Sequence, residues 1–133
     1  MSPKAPRPSA MQGFTVCRKT NGCGKIFTTI TLDALTGKPA EVFIRFGKAG
    51  GCGSAIADGI ARLASYGLRS GLDPFDAIKA LEGIGCHQGN NTCMSVVAES
   101  LRFVMKALET GADINDIIEE QDFAEAEIET THN

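Results

Sequence analysis

Two kinds of hydrophobic spacing divide the chain. Between residues 25 and 48 the side chains alternate: Ile26, Thr28, Ile30 and Leu32 fall on one side, Phe27, Thr29 and Thr31 on the other. Val42, Ile44 and Phe46 alternate in the same way with Phe43 and Arg45. A period of two belongs to a half-buried strand. Thr36-Gly37-Lys38-Pro39 supplies turn chemistry between the two runs, so the segment predicts a β-hairpin. A shorter strand-like run over residues 14–18 predicts a third strand in the same sheet.

From residue 54 the spacing lengthens to that of a helix. Ile56, Ile60, Leu63, Ala64, Gly67 and Leu68 recur on one side, with Ser54 as N-cap and Gly71 as the stop. The many Ala and Gly residues of this helix, over 54–70, predict close packing on the sheet. Asp73-Pro74 opens a second helix with proline at its first position and Phe75, Ile78 and Leu81 apolar. A third, over 94–110, places Val97, Leu101, Val104, Met105 and Leu108 on one side and stops at Gly111. "DINDIIEE" adds a short final helix before an acidic end that frays. Strands first and helices after predict an α+β fold: a small antiparallel sheet, hairpin plus third strand, packed on one face by three helices.

The 133 residues are one domain's worth of chain. Its opening, "MSPKAPRPSAMQG", has three prolines and no apolar stretch, so residues 1–13 read as a disordered basic arm rather than a signal peptide. Residues 14–118 then form the domain and 119–133 an acidic tail. No apolar run approaches the ~20 residues of a membrane helix, and a cytoplasmic protein is expected. The formal net charge of −3 conceals a split. Residues 1–108 hold all 13 Lys and Arg against seven Asp and Glu, a net of +6, whereas residues 109–133 hold nine acids and no base. A basic body suits an anionic ligand such as a nucleotide or nucleic acid.

Five cysteines in such a chain read as thiols or metal ligands rather than a disulfide framework. Four of them sit at element junctions. Cys23 lies in "NGCGK" before the hairpin, Cys52 in "GGCGS" at the first helix start, and Cys86 and Cys93 bracket "CHQGNNTC" between the last two major helices. Junctions are where a small domain can converge ligands, and the neighbouring glycines let backbone approach a sulfur closely. These four predict a metal site that staples the fold, with small buried thiols as the alternative. Cys17 falls in a strand-like segment and reads as an inert or surface thiol. His87 adjoins Cys86, where it would replace a sulfur or donate a hydrogen bond to one.

The pattern "GCGKIFTTI … EVFIRFGKAGGC … GLRSGLDP … LEGIGC … NTC" resembles the TSCPD domain over roughly residues 15–108. That domain occurs at the carboxyl end of adenosylcobalamin-dependent (class II) ribonucleotide reductases and in small stand-alone proteins. The cysteines that match the family are Cys23, Cys52, Cys86 and Cys93, and the resemblance implies a metal site there, zinc in the first place and iron in the second. The family's naming stretch appears here as Asn91-Thr92-Cys93-Met94-Ser95, without its proline and acid, and His87 replaces the proline that usually follows the third cysteine.

No Walker-type ending and no G-x-G-x-x-G is present, and no nucleophile–base pair stands at informative spacing, so catalysis by this chain alone is not expected. Two functions follow. One is a zinc-bearing accessory domain that works with a ribonucleotide reductase through protein contact. The other is a small homo-oligomeric binding protein that captures a nucleotide or cyclic nucleotide. For the second, "GKAGGCGS" offers an anion site of Arg45, Lys48, Gly50, Gly51 and Ser54 at a helix start. A dithiol relay to a reductase is a third reading, and it requires an exposed thiol pair.

Overall fold

The computed structural model describes residues 4–132 apart from 21, 23, 48–51 and 85–91, with the backbone alone at 52–54 and 129–132. The hairpin and the third strand form one antiparallel sheet in the order β1 (Gly13–Thr20), β2 (Gly24–Leu32), β3 (Pro39–Phe46). Ile26, Thr28 and Ile30 of the central strand have no exposed surface, and Val16 and Val42 flank them on the same face. A bulge at Thr31/Leu32 ends the regular ladder between β2 and β3. Asp33 then closes the turn by accepting hydrogen bonds from the Leu35 and Thr36 amides, and Gly37 takes the left-handed conformation (φ +72°) that the turn requires.

Among the described residues four helices follow, the three that pack the sheet and the expected final one: α1 (Cys52–Arg69), α2 (Pro74–Leu81), α3 (Cys93–Thr110) and α4 (Ile114–His132). Helix α3 covers β1 and β2, burying Val97, Leu101 and Val104 completely, each burial stabilising by about 1.5–3 kcal/mol. Thr92 caps it by accepting from the Ser95 amide, and Gly111 ends it in the left-handed conformation. Helix α2 begins at Pro74 behind an Asp73 cap, as its sequence predicts, and packs on α3.

Helix α1 departs from expectation in two ways. It starts at Cys52, so Ser54 is its third residue rather than its cap. It also packs beside β3 instead of over the sheet. The Ser65 hydroxyl accepts from the Val42 amide (2.8 Å), and its one proton faces both the Ala61 carbonyl (2.8 Å) and the Val42 carbonyl (3.1 Å), so it covers an outer edge that would otherwise invite another strand. So close an approach needs small side chains. Ala57 and Ala61 are therefore buried, whereas Ile56 and Leu63, expected on the packed side, are 64% and 74% exposed.

Both ends of the chain are tied to the fold. Residues 4–12, read from sequence as disordered, form no helix or strand, but Ala5 donates to the Arg69 carbonyl and Leu32 donates to that of Gln12. Arg7 pairs with Glu41 at 2.9 Å, neutralising a carboxylate that is 5% exposed and also accepts from Thr31. The final helix, expected to be short, runs to His132, well past the 118/119 boundary. Ile114, Ile117 and Ile118 anchor its first turns on the core, and Glu, Ala and Gln, all strong helix formers, carry it on.

Candidate metal centre and neighbouring surfaces

Two of the four junctions that carry the matching cysteines lie at one end of the sheet. Thr20 pairs with Gly24 across the turn between β1 and β2. At the same end Gly47, just past β3, donates to the Lys25 carbonyl at 2.9 Å, so the connection to α1 leaves from there. Arg18, two residues before the end of β1, pairs with Glu99 in the second turn of α3 at 2.7 Å. Glu99 lies six residues beyond Cys93, or about 9 Å along the helix. Sequence-distant junctions that share one end of a sheet are what a four-thiolate site needs.

Of the ligand set itself the structure gives only part. Cys93 is the first residue of α3, partly buried against the core and free of disulfide. Cys52 is likewise the first residue of α1, of which only the backbone is described. Two cysteines at helix starts fit an ion held by thiolates, because the positive end of a helix favours an anionic ligand. Cys23, Cys86 and His87 lie outside the described residues. Among the described residues no group of three or more His, Cys, Asp or Glu could hold a metal ion. Cys17 is exposed on the sheet, as its strand position predicts.

The anion site expected at the start of α1 is described only in part, since Lys48, Gly50 and Gly51 lie outside the described residues and Ser54 contributes backbone alone. Arg45 stands on the face of the sheet away from the core, its guanidinium 4.6 Å from the centroid of the Phe27 ring. A different concavity of about 430 Å³ lies between β3, α1 and the amino-terminal arm. Phe43 and Tyr66 line it, each about half exposed, with Lys4, Arg62 and Arg69 around them. The Lys4 ammonium sits 5.2 Å from the Tyr66 ring centroid, Arg62 pairs with Asp58 at 3.1 Å, and Arg69 faces Glu41 at 3.9 Å. Sequence reasoning missed this groove because its walls come from three separate elements. The local signal was an aromatic residue within reach of arginines, Tyr66 between Arg62 and Arg69.

The TSCPD domain model matches residues 1–105, and the chain belongs to that family. No curated protein and no solved structure matches it. No helix among the described residues is long and apolar enough to cross a membrane.

Proposed function

We propose that this TSCPD domain is an accessory module that binds one zinc ion through Cys23, Cys52, Cys86 and Cys93 and acts on a class II ribonucleotide reductase by contact rather than by catalysis. The contact reading is carried by α1, whose Ile56 and Leu63 stand seven residues apart on one side of the helix and remain exposed. Large apolar side chains grouped on an outward face mark an interaction surface. The zinc reading is supported by two cysteine-bearing junctions that share one end of the sheet and by family membership. Zinc suits four thiolates without redox chemistry, and its binding energy adds directly to folding. Co-precipitation with a class II reductase tests the contact. Leu63→Lys should abolish it while leaving metal content and folding intact; retained capture would place the contact elsewhere.

The groove beside α1 favours a second reading, capture of a nucleotide. Phe43 and Tyr66 offer aromatic surface for a base, and Lys4 and Arg62 offer charge for phosphate. Thermal shift against mononucleotides and cyclic dinucleotides separates the two. A shift that Tyr66→Ala removes supports capture, and its absence across the panel leaves the contact reading alone.

A further inference from the structure

The two edges of the sheet are finished differently. Along an antiparallel strand, backbone groups point alternately toward one neighbour and the other. Leu32 donates to the Gln12 carbonyl, and the register that continues from there turns residues 14, 16, 18 and 20 toward β2. The backbone groups of Gly13, Thr15, Cys17 and Lys19 therefore point outward. On β3 the same alternation, set by the bond from Gly47 to Lys25, turns Val42 outward, and Ser65 of α1 meets its amide. The edge at β1 has no such cover. The amides and carbonyls of Thr15 and Cys17 find no partner among the described residues, and both residues are exposed.

A bare edge is normally blunted by proline, a bulge, shortness or an inward-pointing charge. Strand β1 is eight residues long, contains no proline and keeps an unbroken register with β2. Its inward charge, Arg18, is matched by Glu99 and Asp122. On the helix side of this edge the surroundings are acidic. The Gln121 amide donates to both Glu99 (3.1 Å) and Glu125 (3.2 Å), which gathers a further carboxylate beside the Arg18 pairs. Glu119 and Glu125 stand three residues either side of Asp122, on the side of α4 that reaches β1, and both are exposed. One guanidinium is set against four carboxylates.

We infer that the β1 edge takes up an extended segment of a partner protein as a fourth strand, one that carries Lys or Arg at the alternate positions turned toward α4. Main-chain hydrogen bonds to Thr15 and Cys17 hold such a strand, and its alternate side chains give the selection. Basic side chains on its helix side meet Glu119 and Glu125, which have no basic partner among the described residues. A second copy of this chain fits worse. Pairing β1 with itself about a twofold axis keeps the two helix sides together, so both α4 helices bring their acids to the seam. The edge shares no residue with the α1 contact face, the groove or the metal ligands, so it stands or falls separately from the reading above.

Two synthetic peptides matching the eight residues of β1 in length test it, one alternating Lys with Thr and the other Glu with Thr. Amide hydrogen exchange is followed by NMR on the wild-type chain. The lysine peptide should slow exchange at Thr15 and Cys17 at least about tenfold, and should leave Val16 and Arg18, already in the ladder, little changed. The glutamate peptide should bind at least about tenfold more weakly. Cys17→Pro removes an outward donor and no ladder bond, so the fold should survive while affinity for the lysine peptide falls at least about tenfold. Replacing both Glu119→Gln and Glu125→Gln should weaken that peptide about fivefold. The exchange measurement decides the matter even where the proline variant fails to fold. No binding of the lysine peptide, equal binding of the two peptides, or binding that leaves Thr15 and Cys17 unprotected would overturn the assignment; the last would show attraction to the acidic helix alone. So would a wild-type dimer that protects the same two amides without peptide, because a second copy would then be the occupant.

Discussion

Arg18 and Asp122, separated by 104 positions, are joined by two hydrogen bonds of 3.1 and 2.9 Å between guanidinium and carboxylate. The same guanidinium donates to Glu99 at 2.7 Å and lies 5.3 Å from the Phe103 ring centroid. One side chain thus fastens β1, α3 and α4 together, and the two carboxylates hold its pKa well above the ordinary arginine range. Asp122 is half exposed, so Asp122→Ala should cost only about 0.5–1 kcal/mol. Arg18→Ala removes hydrogen bonds to both acids and should cost about 2–3 kcal/mol. Chemical denaturation of the two variants checks the ranking, and equal losses would show that Glu99 contributes nothing.

Ser65→Ala should destabilise by about 1–3 kcal/mol, because the Val42 amide at the sheet edge loses its acceptor. A secondary effect is expected at high concentration, where an uncapped edge pairs with another strand. Urea unfolding and light scattering measure the two effects.

Thr28 presents the opposite case. Its hydroxyl is fully buried on the core face of β2 and finds no partner among the described residues. Valine has the same shape without the polar group, so Thr28→Val should raise stability by about 1 kcal/mol. A loss of stability in the melting curve would reveal a hydrogen bond to that oxygen.

Asp33 gives the turn between β2 and β3 a pH dependence. Two amide hydrogen bonds, from Thr36 and Leu35, lower its pKa below the usual carboxylate value. Its stabilising effect is therefore complete above the unfolded-state value and is lost as pH falls through the lower folded one. A carboxyl titration followed by NMR should place Asp33 below the other exposed acids, and the Leu35 and Thr36 amide signals should move with it. An Asp33 midpoint at or above theirs would contradict this.

Much of the fold was legible because it is encoded locally. Strand alternation, the Asp73-Pro74 start and the Gly111 stop each act within a few residues, and all three stand in the structure. What escaped depends on distant partners. Nothing near Arg7 or Ala5 signals that Glu41 and Arg69 will fasten the arm. The packed side of α1 was misjudged because size was taken for burial. Against a strand edge the small Ala57 and Ala61 are the ones that fit. The length of α4 was underestimated since its acidic sequence hides strong helix formers and an arginine waiting on β1. For the candidate site, glycine-flanked cysteines marked the junctions, and strand pairing around two of them brings those junctions to one end of the sheet.

The metal content of protein purified without added zinc tests the central claim most directly. Elemental analysis should find about one zinc per chain, and Cys93→Ser should release it and lower stability by several kcal/mol, since such sites can contribute ~10 kcal/mol. Cys17→Ser, at an exposed position on the sheet, should change neither. A folded, metal-free protein in which all five thiols titrate would contradict the account.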